Sequence, residues 1–284
     1  MHTDVRPLEI RKASRKDLDL MAEWAAQEGW NPGIGDADCF HATDPDGFLI
    51  GFLGDDPAGC VSMVRYGAAF CFLGFYMVKP ELRGRGYGYR IWQAAIDRAG
   101  NRTVGLDGVI AQQENYRQSG FVLAHRNVRY QGIASGDEVN DARLTPISSE
   151  VAKAVMRYDR PFFPEVRDTF LRCWLQPDGR TALASVEDGS VRGYGVVRAC
   201  RTGSKIGPLF ADTPEHASVL FQALAAAAGG GPIFLDCPEP NVAATELARR
   251  HNLSPVFETA RMYRGAAPDL PLTRMYGITT FELG

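Results

Sequence analysis

The run Arg83-Gly84-Arg85-Gly86-Tyr87-Gly88 constrains this chain more than any other stretch of its 284 residues. It follows an apolar segment, residues 70–78, that reads as a strand and stops at Lys79-Pro80. A helix is expected to open at once, over about 88–99. Strand, tight glycine loop and helix together make a place for phosphate. Glycine tolerates positive φ and lets backbone approach a ligand closely. The first N–H groups of the helix have no partner inside it, and the helix dipole adds favourable charge for an anion. Around the loop, Lys79, Arg83, Arg85, Arg90, Arg98 and Arg102 outnumber Glu81 and Asp97, which suits a ligand with several phosphates. Spacing excludes the other common phosphate loops. No Gly-x-x-x-x-Gly-Lys-Ser/Thr is present, and glycines at 84, 86 and 88 do not fit Gly-x-Gly-x-x-Gly.

Hydrophobic periodicity arranges the rest around this loop. A strand is expected at 5–10, and a helix at 15–28 behind the N-cap Ser14, with Leu18, Met21, Trp24 and Ala25 on one face. A Gly-, Pro- and Asp-rich loop runs from Gly29 to Gly47 and is long for a connection without regular structure. Strands at about 48–53, 58–65 and 70–78 lead into the glycine loop and its helix. A strand at 103–110, a short helix at 112–119 and a strand from Gly120-Phe121 to Tyr130 follow, then a polar linker over 131–149. The second stretch reads as helices at 148–159 and 165–174, strands at 181–187 and 191–198, and a strand or loop through Ile206–Phe210. A helix at 214–228, a strand at 233–236, a helix at 241–250 and closing strands complete it. Both stretches run strands, helix, strand, helix, strand. A faint echo supports duplication: Gly120-Phe121 leads to Tyr130-Gln131-Gly132, and Asn252-Leu253 leads to Tyr263-Arg264-Gly265. A chain of this length suits two domains, and they are expected at 1–135 and 146–284.

Composition removes several classes of function. With 45% hydrophobic and 23% charged residues the chain reads as globular. A net charge of -3 supplies no basic footprint for nucleic acid. No apolar stretch approaches the ~20 residues of a membrane helix, and no secretory signal is expected from the polar start Met1–Arg6. The six cysteines are scattered without metal spacing, so reduced buried thiols, no metal and a cytoplasmic protein are expected.

The motifs now resemble a known superfamily. Val78-Lys79-Pro80-Glu81-Leu82-Arg83-Gly84-Arg85-Gly86-Tyr87-Gly88 is similar to the cofactor motif Arg-x-x-Gly-x-Gly of the GCN5-related N-acetyltransferases (GNAT). Tyr116-Arg117-Gln118-Ser119-Gly120-Phe121 resembles the family's Tyr-x-x-x-Gly-Phe, in the right order downstream. In the second stretch, Pro240-Asn241-Val242-Ala243-Ala244 resembles the Asn-x-x-Ala segment, but Gly207-Pro208-Leu209-Phe210-Ala211-Asp212 lacks the glycine motif. The ending, Arg261–Gly265 and Tyr276–Gly284, is similar to bacterial two-domain members. The resemblance therefore implies an α+β fold: a mixed, mostly antiparallel central sheet flanked by helices, followed by a degenerate second GNAT-like domain.

It also implies a chemistry. Acetyl-CoA would lie in a V-shaped opening between two parallel strands, paired to backbone of Tyr76, Met77 and Val78. Backbone N–H groups of Arg83, Gly84, Arg85, Gly86, Tyr87 and Gly88 would hold its pyrophosphate. The acyl group would pass directly to a primary amine of a small molecule, amino acid or peptide, with Tyr116 as general acid. Bulky Phe75, Tyr76 and Met77 bear on the acyl length accepted. Strand 70–78 offers no acid as general base, which leaves Glu28, Asp36, Asp38, Asp44, Asp46, Asp107, Glu114, His125 or a water chain. Trp30 and Asp36, in the long loop, are the expected acceptor-binding residues. Arg160, Phe162 and Phe163 are expected to bring the second domain over that site. A non-catalytic acyl-CoA sensor is the alternative, and a homodimer is compatible with either reading.

Overall fold

In the computed structural model, residues 7–134, 137 and 139–284 are described. The polar start Met1–Arg6, and residues 135, 136 and 138 of the expected linker, lie outside the described residues. The first half runs β1 (Leu8–Lys12), α1 (Arg15–Gln27), α2 (Asp36–Thr43), β2 (Phe48–Leu53), β3 (Asp56–Tyr66), β4 (Phe70–Val78), α3 (Tyr87–Ala99), β5 (Thr103–Val109), α4 (Gln113–Gln118) and β6 (Val122–Ala134). The second runs β7 (Leu144–Pro146), α5 (Ser149–Asp159), α6 (Asp168–Trp174), β8 (Arg180–Glu187), β9 (Ser190–Ala199), β10 (Ser204–Ala211), α7 (Pro214–Ala227), β11 (Gly231–Pro238), α8 (Val242–Arg250), β12 (Ser254–Arg264) and β13 (Met275–Gly277).

Local chemistry sets these ends. Ser14 caps α1 through a reciprocal capping box with Asp17. Ser148, Thr213 and Asn241 cap α5, α7 and α8 through their side chains. α1 buries Leu18, Met21 and Ala25, as its periodicity predicts.

The strands join in one mixed, mostly antiparallel sheet of order β1-β2-β3-β4-β5-β12-β6-β11-β10-β9-β8-β7. The order is not that of two separate sheets side by side. β12, from the second half, lies between β5 and β6, while β6 crosses over to pair with β11. Each half thus completes its sheet with the other's last long strand. Gly120 at φ 87 and Asn252 at φ 58 take the same left-handed backbone just before those strands, as the sequence echo leads one to expect. The largest apolar core is also shared: Phe40, Phe48 and Phe75 pack in it with Phe162, Trp174, Tyr194 and Phe210. Separate cores lie under α3 and under α7 and α8.

The second half has lost its cleft as well as its glycine motif. β10 and β11 are parallel and pair only over Ser204–Ile206 and Ile233–Leu235. Beyond that, β13 pairs with β10, and Ile278 N–H donates to the Asp236 carbonyl at 2.9 Å. The chain's own segment 275–278 therefore occupies the opening where β10 and β11 diverge. Residues 279–284 then continue into the shared core, where Phe281 and Leu283 are buried.

Three expectations need correction. The stretch 29–47 is not irregular throughout, because it contains α2. That helix has only eight residues and opens on Gly35 in the left-handed region with no side-chain cap, so its start is marked by no capping residue and only by Asp36 and Asp38 in the first turn. Phe162 and Phe163 do not line the cavity beside the glycine loop. Phe162 stacks on Phe210 at 4.4 Å, Phe163 packs edge-on to Tyr66 at 4.6 Å, and Arg160 pairs with Asp168. Finally, not all the cysteines are thiols. Cys39 of α2 is disulfide-bonded to Cys173 of α6, 134 residues away, while Cys60, Cys71, Cys200 and Cys237 are free and buried. Spacing could not reveal a pairing made by contact between two halves. Titration of the denatured, non-reduced protein with a thiol reagent is expected to count four thiols, rising to six after reduction.

Candidate active site

The site is built where β4 and β5 part. The two strands are parallel and in register from Phe70–Thr103 to Leu73–Leu106, and no further. Against β3, Ser62 pairs with Gly74 and Cys60 with Met77, so β4 carries one extra residue in a bulge. Phe75 absorbs it at φ 48, and its carbonyl accepts from Cys60 Sγ at 3.2 Å. The bulge turns Tyr76, Met77 and Val78 away from β5 and leaves their β5-facing backbone groups without a strand partner. The opening widens towards the glycine loop.

The loop then meets α3. Gly84 and Gly86 have φ of 76° and 83°, values that L side chains rarely adopt, and an added Cβ at either meets nothing within 4 Å. Gly86 is the N-cap of α3, so the first N–H groups of that helix face open space. Tyr87 buries its ring beneath the helix and Arg85 is exposed. Arg83 does not project freely: Nε donates to the Val78 carbonyl at 2.9 Å, and Nη2 pairs with Glu28. Gly88 lies against Tyr76, whose hydroxyl would stand 2.9 Å from a Cβ there. Backbone donors, positive φ and open approach fit a phosphate at this loop.

Tyr116 stands on α4, across the opening. Its ring stacks on Trp92 at 5.6 Å, and Tyr76 packs edge-on to the same indole. Gly108 of β5 makes room for it, since a Cβ there would lie 2.1 Å from Tyr116 Cε2. Burial, with a smaller push from Tyr76, raises the phenol above its ordinary range, so it stays protonated near neutral pH. Such a phenol can donate a proton and cannot act as a base there.

One cavity of about 510 Å³ joins these parts. It runs from Gly84, Gly86 and Gly88 past Tyr76, Met77, Val78 and Tyr116 to Trp30, Phe257, Phe281 and Glu282. Trp30 lines it, and the Trp30 carbonyl is fixed by Arg129 Nη1 at 2.7 Å and Lys205 Nζ at 3.4 Å. Asn31 and Thr202 exchange two further hydrogen bonds, so the second half holds this loop. Asp107 lines the cavity too, but Arg261 clamps both its oxygens at 2.8 and 2.6 Å, and Asn127 donates at 2.7 Å. His125, on β6, is outside the cavity and is held neutral, down to about 4, chiefly by burial.

The structure separates Asp36 from Trp30. Asp36 is buried at the start of α2, 3.0 Å from Arg198 Nε and 3.6 Å from Arg180 Nη2, and does not line the cavity. It joins the halves rather than facing an acceptor. Conversely, the second half does reach the cavity, not through Arg160, Phe162 and Phe163 but through Phe257, Thr259, Phe281 and Glu282. Their one signal is the shared order of elements, which allows a strand to change places.

Known proteins agree with this architecture. Residues 13–134 match the family described as "Acetyltransferase (GNAT) family", and residues 155–277 match "Acetyltransferase (GNAT) domain". The chain is 30% identical over 275 residues to holothin acyltransferase of Pseudoalteromonas sp. (strain SANK 73390), covering 96% of this chain and 94% of that one. A Pyrococcus horikoshii crystal structure, described as a proposed acetyltransferase, superposes with a TM-score of 0.83 at 24% identity over 100% of this chain and 99% of that chain. A tandem GNAT protein from the clavulanic acid biosynthesis pathway superposes with a TM-score of 0.63 at 16% identity, over 93% of this chain and 100% of that chain. Two diverging parallel strand pairs, one open above a glycine loop and one filled by the chain itself, are the two domains of one protein, and the chain belongs to the GNAT superfamily of acyltransferases.

Proposed function

We propose that the protein transfers the acetyl group of acetyl-CoA to a primary amine of a small molecule, amino acid or peptide. The observation that carries this reading is the single cavity joining the glycine loop, Tyr116 and a pocket walled by Trp30, Phe257 and Phe281. Backbone N–H groups at Gly84, Gly86 and the start of α3 bind the diphosphate. Backbone of Tyr76, Met77 and Val78, freed by the bulge, aligns the arm that carries the thioester. A free backbone N–H on the same strand stabilises charge developing on the carbonyl oxygen. Tyr116 supplies the proton that the leaving sulfur needs. The aromatic pocket keeps water from the thioester and accepts an amine with an apolar body.

Thiol release from acetyl-CoA, followed against a panel of primary amines, amino acids and short peptides with holothin included, tests this. Turnover with an amine supports transfer, and tight acetyl-CoA binding without turnover for any acceptor supports a sensor instead. Propionyl- and butyryl-CoA in the same assay measure the acyl length accepted. Gly86→Ala is expected to raise the Kd for acetyl-CoA about five- to thirtyfold, because a side chain at φ 83° costs roughly 1–2 kcal/mol. Calorimetric titration checks it.

A further inference from the structure

Among the described residues, five carboxylates with buried side chains have guanidinium partners: Asp36 with Arg198, Asp44 with Arg65, Asp107 with Arg261, Asp159 with Arg167 and Asp236 with Arg129. Glu282 is different. It is 2% exposed and lines the cavity, and neither Oε1 nor Oε2 has a hydrogen-bond partner. A buried, unpartnered carboxylate is costly and is retained chiefly where it meets a ligand. We propose that Glu282, delivered from the second half, is the general base that takes a proton from the acceptor ammonium. This rests on the acyl-transfer reading above.

Placement supports it. An added Cβ on Gly74 would lie 2.1 Å from the Glu282 carbonyl oxygen, so the tail's backbone is seated on β4. Gly74 directly follows Leu73, the last residue of β4 in register with β5, and precedes the bulge. Glu282 therefore sits at the closed end of the opening, in the same cavity as Tyr116. Thr259 Oγ1, also buried without a partner, lines the same cavity and offers the amine an acceptor. Strand 70–78 holds no acid, and Asp107 is already clamped by Arg261.

The surrounding charges leave this carboxylate poised. Burial is the largest influence and raises its pKa; Lys205 of β10 lowers it, Asp36 of α2 raises it, and Arg198 of β9 and Arg129 of β6 lower it. The outcome is a pKa above the ordinary glutamate value. Arg129 and Arg198 are spent on Asp236 and Asp36, and Lys205 on the Trp30 carbonyl. A carboxylate of raised pKa is a better base for an ammonium than an ordinary one.

The protons balance. An acceptor ammonium has three N–H bonds and the product amide keeps one. Glu282 takes the first proton, and the freed lone pair forms the C–N bond as the C–S pair leaves on sulfur. Tyr116 protonates that sulfur and is restored by the second proton from nitrogen. Glu282 returns its proton to solvent, so ammonium and thioester become amide, thiol and one released proton.

Glu282→Gln and Glu282→Asp, assayed with acetyl-CoA and the fastest amine of the panel above, test the assignment. The Gln variant is expected to lose about 100-fold in kcat/KM at pH 7.5 and to lose the acidic limb of its pH profile. The wild-type limb falls as pH drops through the Glu282 pKa, and the Asp variant keeps a limb with partial activity. Acetyl-CoA affinity by calorimetry stays within twofold in both. A readout free of turnover accompanies these. A raised folded pKa means stability is lost as pH rises through it. Removing the charge is therefore expected to raise the melting temperature at pH 8 and leave it unchanged at pH 4. A Gln variant with wild-type kcat/KM and an intact acidic limb overturns the base alone. A lower melting temperature at pH 8 also overturns it, marking Glu282 as an ion-pair partner of Lys205, Arg129 or Arg198. Absence of thiol release by the wild-type protein with every amine overturns both this assignment and the transfer reading.

Discussion

Tyr116→Phe is expected to lower kcat by about 10²- to 10⁴-fold while acetyl-CoA affinity changes less than twofold, because it removes the proposed general acid and little else. The ring makes the contacts that hold α4. It stacks on Trp92 at 5.6 Å and fills the space left by Gly108. Phenylalanine keeps every one of those contacts. The hydroxyl alone is lost, and with it the proton for the leaving thiolate. Pre-steady-state thiol release separates this from slow product release, since a chemical defect removes the burst. The pH profile gives a second check. The phenol's pKa is raised by burial, so loss of activity from its ionisation belongs above pH 10 in the wild-type protein. Gly108→Ala offers an independent route to the same defect. Its new methyl would stand 2.1 Å from Cε2 of a ring pinned against Trp92, so the phenol must move. A Tyr116→Phe variant with wild-type kcat would make the ring a packing element and leave protonation to water.

Much of this arrangement can be read from sequence because much of it is local. The glycine loop is a statement about φ at Gly84 and Gly86 and about an unpaired helix start, and neighbouring residues decide both. Tyr116 sits three residues into α4, before the turn at Gly120 that forces φ to 87°, so its motif too is a local turn. Helix ends at Ser14, Ser148, Thr213 and Asn241 follow from capping. What escaped is decided between the halves. β6 and β12 are both long strands, of 13 and 11 residues, and nothing in either says which β-strand it will pair with. Once β12 takes the place beside β5, Phe257 and Thr259 become cavity walls. Once β13 fills the β10–β11 opening, the residues after it have one direction left, and Glu282 arrives beside Gly74. Asp36 misleads for the converse reason. An acid in a Gly-rich loop near a tryptophan reads as a ligand for a cation, and the cations it meets are Arg198 and Arg180 of its own chain.

That last pairing carries the second large effect. Asp36→Ala is expected to destabilise the protein by about 3–5 kcal/mol, since breaking a buried ion pair strands its partner without a counter-charge. Arg198 is buried, with Asp36 as its anion, and would keep long contacts to the Gly207 and Thr279 carbonyls at 3.3 and 3.5 Å and the face of Trp174 at 4.7 Å, none of them an anion. Asp36 Oδ2 also accepts from Gly33 N–H at 2.9 Å, so the loop before α2 loses an anchor in the same change. The loss falls on the junction between halves, because Asp36 is on α2 while Arg180 and Arg198 are on β8 and β9. A fall in the urea midpoint with unchanged m-value reports it. Kinetics decide between the two roles that an acid near Trp30 can have. As a ligand for the acceptor, Asp36 would set KM for the amine, and its loss would raise that constant in protein that remains folded. As the anion of a buried pair it leaves KM unchanged at temperatures where the variant is folded, and lowers only the concentration of active protein. Replacing Asp36 and Arg198 together by apolar residues of similar volume extends the argument. Stability is then expected to recover by more than half, because the cost lies in the stranded charge rather than in the missing contact.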